Sequence, residues 1–248
     1  MSMRCFVFFI VLYTVTAVGD DQPAGGMTTR SGTLTSLYSP EQAKALSKTL
    51  PIDEPVQWQV YVPGHDKPGG VLVFISPSPS AAPQPDWIDV LDKMNLIWVA
   101  AEQFGNSKPT AKRILTALMG LTMAQRSFQV DNGRIYVAGM SGGGRVASKV
   151  VTLFPRLFTG AMYFVGVDFW TPAEKPLLEH IAGNRYVFLT GHNDFNRREI
   201  IRTYKKYKRA GVNQIVLMDL PEFGHEYPDA EQFAQAVRFL DTGLQPAQ

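Results

Sequence analysis

Residues 131–147 read DNGRIYVAGMSGGGRVA, and this stretch decides the fold. Arg134 to Ala138 (RIYVA) has the apolar and aromatic composition of a buried strand. Asp131-Asn132-Gly133 just before it predicts a turn. Beyond Met140 the chain passes through Ser141 into Gly142-Gly143-Gly144, and Val146, Ala147 and Val150 then recur at helical spacing. A strand, a sharp turn at a serine and a helix therefore follow one another directly. Gly139 and Gly143 flank the serine two positions away on each side, giving G-x-S-x-G. A residue at such a turn takes strained dihedrals, and larger side chains two residues away would collide across it. The helix that begins near Gly142 points unpaired N–H groups and the positive end of its dipole at Ser141, which favours an oxyanion there. A phosphate would suit the same turn, but the Walker lysine and the dinucleotide glycine spacing are both missing.

Outward from this segment, strands and helices alternate. Val56 to Val62 (VQWQVYV) predicts an outer antiparallel strand, and Val71 to Ile75 and Leu96 to Ala100 predict buried ones. Thr110 to Gln125 carries Ile114, Leu115, Leu118, Leu121 and Met123 and reads as a helix. Ala161 to Val165, Tyr186 to Leu189 and Gln214 to Met218 are further strands. Asn196 to Arg209 is a helix with Ile200, Tyr204 and Tyr207 on one stripe, and Gly211 follows where a left-handed cap residue belongs. Ala230 to Leu240 closes the series as a helix. This alternation predicts an α/β fold with a doubly wound, mostly parallel sheet. In such a sheet the site lies at the carboxyl ends of the strands. The loops that matter begin near Ser76, Ala101, Gly139, Gly166, Gly191 and Leu220.

The N-terminus reads as an export signal over residues 1–19. Arg4 precedes an apolar run, Cys5 to Val18, and Ala17-Val18-Gly19 offers small residues for cleavage. The expected destination is secreted or periplasmic, with an uncleaved N-terminal anchor as the alternative. The run is short for a membrane span, so no stable insertion is expected after cleavage. Cys5 is the only cysteine, so a mature chain would hold itself together by packing alone. Residues 20–35 are polar and glycine-containing and predict a flexible leader, which leaves 36–248 as one domain. A formal net charge of +2 is too small to point to nucleic acid.

A serine nucleophile needs a base and an acid. Four histidines are present, and His225 follows the last predicted strand in Glu222-Phe223-Gly224-His225-Glu226, at the same sheet edge as Ser141. His192 also follows a strand, whereas His65 lies in an earlier turn and His180 in a predicted helix. Asp194, in Gly191-His192-Asn193-Asp194, follows the strand before the histidine loop and is the preferred acid. Its competing role is a cap on the Asn196 to Arg209 helix. Asp168, after Ala161 to Val165, is the alternative acid.

The order Ser141, Asp194, His225 and the segment Asp131 to Gly144 resemble the α/β-hydrolase superfamily, and within it the polyhydroxybutyrate depolymerase and feruloyl esterase group. The resemblance spans about residues 56–241 and is specific at the serine turn and around His225. It implies a minimal α/β-hydrolase sheet without a large lid, and an oxyanion hole with Gly142 as one donor. The group usually carries His-Gly after its third strand, where the second donor sits. This chain has Ser76-Pro77-Ser78-Pro79-Ser80 instead, and prolines cannot donate. By position Ser78 is the expected second donor, with Ser80 as the substitute.

The expected activity is that of an exported carboxylic ester hydrolase on small or polymer-tethered esters, with no metal and no cofactor. A peptidase or lipase of the same fold, and a non-catalytic binding protein on this scaffold, are the competing readings. Trp87, Phe104, Trp170, Phe195, Phe223 and Tyr227 fall on or near the active-edge loops and are candidates for an acyl pocket, with core packing the competing role for each. The cations Arg197, Arg198, Arg202, Lys205, Lys206, Lys208 and Arg209 predict a solvated helix face.

Overall fold

Eight strands build one sheet: β1 (Gly26–Gly32), β2 (Val56–Val62), β3 (Gly69–Ile75), β4 (Leu96–Ala101), β5 (Val130–Met140), β6 (Gly160–Phe164), β7 (Arg185–Gly191) and β8 (Ile215–Leu220). They lie in the order β1-β2-β4-β3-β5-β6-β7-β8. β1 and β2 run antiparallel to their neighbours, and every pairing from β4 to β8 is parallel. The structure, a computed structural model, describes residues 25–169 and 175–244. The predicted signal peptide, the first residues of the leader and Trp170 lie outside that range.

The parallel strands alternate side chains between two apolar layers. Val71, Val73, Ile75, Ile135, Val137, Tyr163 and Phe188 enter one core, beneath α4 (Thr110–Ser127), α5 (Gly142–Leu153) and α7 (Arg197–Arg209). Leu72, Phe74, Trp98, Tyr136, Phe164 and Leu189 enter the other, under α3 (Ile88–Lys93) and α8 (Ala230–Thr242). The second core is rich in rings, with Phe74 stacked on Trp98 at 4.5 Å and Trp87 on Phe233 at 4.3 Å. Asp229 and Gln232 form a capping box at the start of α8, which ends on Gly243 at φ +74°. Asp241 then anchors that helix to β5, accepting two bonds from the Arg134 guanidinium and one from the Tyr136 hydroxyl. Two short helices, α1 (Leu34–Leu37) and α2 (Pro40–Leu46), follow β1, and α6 (Lys175–Gly183) precedes β7. Among the described residues no helix is long and apolar enough to cross a membrane.

Three expectations need correction. The leader does not extend to residue 35, because Gly26–Gly32 pairs with β2 from end to end, Gly26 opposite Val62 and Gly32 opposite Val56. β1 is a half-exposed edge strand whose one large apolar residue, Met27, is itself exposed, so it is held by its backbone bonds rather than by an apolar face. β2 consequently lies second from the edge, not outermost. Asp131-Asn132-Gly133 does not separate β5 from what precedes it. The register instead jumps from Gly69 opposite Val130 to Val71 opposite Ile135, and Gly133 N–H bonds Asp131 Oδ1 at 2.9 Å, so the turn residues form a bulge within the strand.

Candidate active site

Ser141 sits between β5 and α5 with φ 53° and ψ −121°, a strained conformation for a residue with a side chain. Its N–H donates to the Phe164 carbonyl at 2.8 Å, and its carbonyl accepts from Arg145 N–H at 3.2 Å. The turn closes because its glycines allow backbone to meet backbone. A Cβ on Gly139 would lie 2.4 Å from the Gly143 carbonyl carbon, and one on Gly143 would lie 1.8 Å from the Ile75 oxygen. Gly143→Ala therefore has to push β3 away from the turn. It should cost about 1–3 kcal/mol, lowering Tm by about 2–12 °C. An unchanged melting curve would show that this close approach is not real.

The last strand, β8, leads into the loop that carries His225. Its Nε2 lies 2.9 Å from Ser141 Oγ, and its Nδ1 lies 2.8 Å from Asp194 Oδ1. Asp194 follows β7, as predicted, and its side chain is fully buried. Besides the imidazole, its carboxylate accepts from the Thr190 hydroxyl at 2.7 Å and from Asn196 N–H at 3.0 Å. The cap of α7 is Asn196, two residues further on, so Asp194 does not occupy the capping position that competed for it. With Nδ1–H donating to the carboxylate, Nε2 is left to accept from the serine hydroxyl. A hydroxyl, an imidazole and a buried carboxylate are thus joined in line at the carboxyl ends of β5, β7 and β8.

Asp168 is held elsewhere. Its carboxylate pairs with Arg145 at 3.0 Å and with Lys149, both from α5. Arg145 also makes a bidentate pair with Glu199 of α7, at 2.6 Å for each bond. These interactions tie the loop after β6 to α5 and α7, and the helical cations draw Asp168 away from the imidazole.

Gly142 opens α5, where an N–H donor for an oxyanion was expected. Ser78 does not offer the free donor that its position suggested, because its N–H is bonded to Ser76 Oγ at 3.1 Å. Ser76 is buried and its hydroxyl also meets Ser78 Oγ at 3.1 Å. A short hydroxyl two residues back captures the N–H locally, a common habit of serine in turns.

The candidate pocket aromatics separate by burial. Trp87, Phe104 and Phe223 are core residues, and Trp87 spends its indole N–H on the Pro228 carbonyl at 2.9 Å. Tyr227 packs against the core that holds Trp87 and Phe223. Phe195 is 77% exposed, yet its ring stacks on that of His225, with centroids 4.0 Å apart. The cationic face of α7 is partly paired: Arg197 binds Asp219 through two bonds, and Lys206 and Lys208 lie over the rings of Phe169 and Tyr204.

No family model matches this sequence, and no curated protein matches it. Solved structures do. A thermophilic, thermostable carboxylesterase cloned from a metagenomic library is 17% identical, with a TM-score of 0.60 over 83% of this chain and 95% of that one. A ferulic acid esterase is 16% identical, with a TM-score of 0.61 over 88% of this chain and 98% of that one. The fluorophosphonate-binding serine hydrolase F of Staphylococcus aureus is 12% identical, with a TM-score of 0.62 over 87% of this chain and 98% of that one. The chain has the α/β-hydrolase fold.

Two neighbours of the Ser141 turn escaped the sequence reading. Asn106, after β4, lays its side-chain amide against Gly142, so that a Cβ there would come within 2.2 Å of Oδ1. Its own N–H donates to the Pro77 carbonyl at 2.8 Å. Arg113, from the first turn of α4, is buried and bonded only to carbonyl oxygens. In sequence it looks like one more cation beside Lys112. The available signal was its place at the head of the uncharged run Ile114 to Leu121, which is buried throughout.

Proposed function

We propose that this α/β-hydrolase is an exported serine hydrolase that cleaves carboxylic esters through an acyl-enzyme on Ser141. The observation that carries this reading is the hydrogen-bonded line from Ser141 through His225 to the buried Asp194. In the reaction, Ser141 Oγ attacks the acyl carbon while its proton passes to His225 Nε2. The resulting imidazolium is stabilised by Asp194, whose orientation is fixed by Thr190 and Asn196. Negative charge on the former carbonyl oxygen is met by the N–H of Gly142 and the positive end of α5. His225 then returns the proton to the leaving alcohol oxygen. A water, deprotonated by the same imidazole, releases the acid and restores Ser141.

Phe195 supports a site that accepts an apolar group beside the base. Its ring covers one face of the imidazole and presents its own other side to solvent. An exposed aromatic there suits a small ester, or one tethered to a polymer, presented at an open edge. Export rests on the residue 1–19 pattern alone.

Purified protein assayed against p-nitrophenyl esters of increasing acyl length, feruloyl esters and peptide anilides tests the reading. Turnover of esters well above that of anilides is expected. Anilide turnover above ester turnover makes it a peptidase, and a preference confined to long acyl chains makes it a lipase. No turnover, together with no reaction with a fluorophosphonate, makes it a binding protein on a hydrolase scaffold.

A further inference from the structure

Arg113 is the one described guanidinium that is buried and has three loops of the site as its hydrogen-bond partners. Its Nη2 donates to the Ser76 carbonyl at 2.9 Å, its Nε to the Phe104 carbonyl at 3.1 Å and its Nη1 to the Gly142 carbonyl at 3.3 Å. Those oxygens belong to the loops after β3, after β4 and after β5. Among the described residues no carboxylate pairs with this cation. Burial pulls its pKa down to about 10, so it remains charged across the neutral range. A buried cation without a counter-ion is costly, and a neutral residue would serve packing better. Its presence there is accounted for by a role that needs both the fork and the charge.

Within the turn after β3 the bonds are short-range ones made by serines, Ser78 N–H to Ser76 Oγ and Ser78 Oγ to the Ser80 carbonyl. Pro77 and Pro79 have no N–H, so the turn after β3 is fixed through its carbonyls. Arg113 takes that of Ser76, Asn106 N–H takes that of Pro77, and Gln103 N–H takes that of Pro79, each of the last two at 2.8 Å. Arg113 also fixes the Phe104–Gly105 peptide, just before Asn106, and the Gly142–Gly143 peptide, just after the oxyanion donor. One planar fork thus sets the relative positions of the three backbone segments around the place where charge develops. It also puts a positive charge directly behind the first peptide of α5, where it adds to the field of the helix end.

We infer that Arg113 is a positioning residue of the oxyanion hole, a buried cationic clamp that locks the loops after β3, β4 and β5 behind the tetrahedral oxyanion. This inference rests on the ester-hydrolase reading above. It predicts a loss confined to the transition state, since the guanidinium reaches the site through backbone carbonyls.

The test compares Arg113→Lys, which keeps the charge and loses the fork, with Arg113→Gln, which keeps amide donors and loses the charge. Both are assayed as folded protein, verified by near-UV circular dichroism, on the best ester substrate of the wild type. Each should lower kcat on the order of 10²-fold, the size of losing one oxyanion donor, with KM within about threefold of wild type. The affinity for a trifluoromethyl ketone, which forms a charged tetrahedral adduct on the serine, should fall by the same factor as kcat/KM. Affinity for the product acid should stay unchanged. A merely structural residue would lower Tm without this parallel. If Arg113→Gln does not fold, Arg113→Lys decides alone. Wild-type kcat and ketone affinity in a folded variant, or a loss confined to KM, overturn the inference. An inactive wild type overturns the ester-hydrolase reading itself, so the two failures are distinguishable.

Discussion

Ser141→Ala should lower kcat for the proposed ester hydrolysis by roughly 10⁶-fold, the scale seen when a serine nucleophile is removed from a preorganised site. The loss is large because the remaining groups, His225, Asp194 and the α5 N-terminus, then have no covalent step to assist. The protein stays folded, since the serine side chain contributes one hydrogen bond at a partly exposed position. The positive φ at residue 141 is strained for alanine as it is for serine, so Tm should move by no more than a few degrees. Kinetics and thermal melts on the same preparation check both statements. Residual activity within tenfold of wild type would mean that another group is the nucleophile.

Asp194→Asn is the second large effect, a loss of roughly 10⁴-fold in kcat near neutral pH. The carboxylate accepts three hydrogen bonds, from Thr190, Asn196 and His225, and donates none. An asparagine amide must present its NH₂ to one of these partners. Turned toward the imidazole, it makes Nδ1 an acceptor and moves the proton to Nε2, where it blocks transfer from Ser141. Turned away, it still leaves the imidazolium without a counter-charge. Asp168→Asn should change kcat by less than about threefold. Its ion pairs with Arg145 and Lys149 are partly exposed, and such pairs contribute about 0–1 kcal/mol to stability. Steady-state kinetics of both variants, with melts alongside, give the answer. The assignment of the acid fails if Asp168→Asn is the inactive one.

What the sequence made legible, and what it hid, follows from the range over which each feature is determined. The elbow was readable because strand, glycines, serine and helix are contiguous, and each is dictated by local sterics. The buried strands were readable because parallel strands are apolar on both sides. His225 and Asp194 were placed by topology, as residues in loops after particular strands. Strand order favoured Asp194 over Asp168, but what holds Asp168 was not readable, because it depends on where the cations Arg145 and Lys149 of α5 reach once the helix is packed. β1 was missed because an edge strand held through its backbone needs no apolar pattern. Ser78 was misjudged because position in the loop does not reveal that Ser76 has already taken its N–H. Trp87 was left open between pocket and core for a similar reason: sequence position near an active-edge loop does not reveal that the ring turns inward to stack on Phe233 of α8. Arg113 was hidden because a helical cation next to Lys112 is ordinarily solvated. Only the three converging loops explain why this one is buried.

The central claim is an acyl-enzyme on Ser141. Wild-type protein mixed rapidly with excess p-nitrophenyl acetate, quenched in acid and analysed by intact mass and peptide mapping tests it directly. The account predicts one acetyl group per chain, on the peptide that contains Ser141, formed at least as fast as steady-state turnover and absent from Ser141→Ala. An acetyl group at another residue, or steady turnover with no covalent acetyl trapped under conditions where release is slower than acylation, contradicts it.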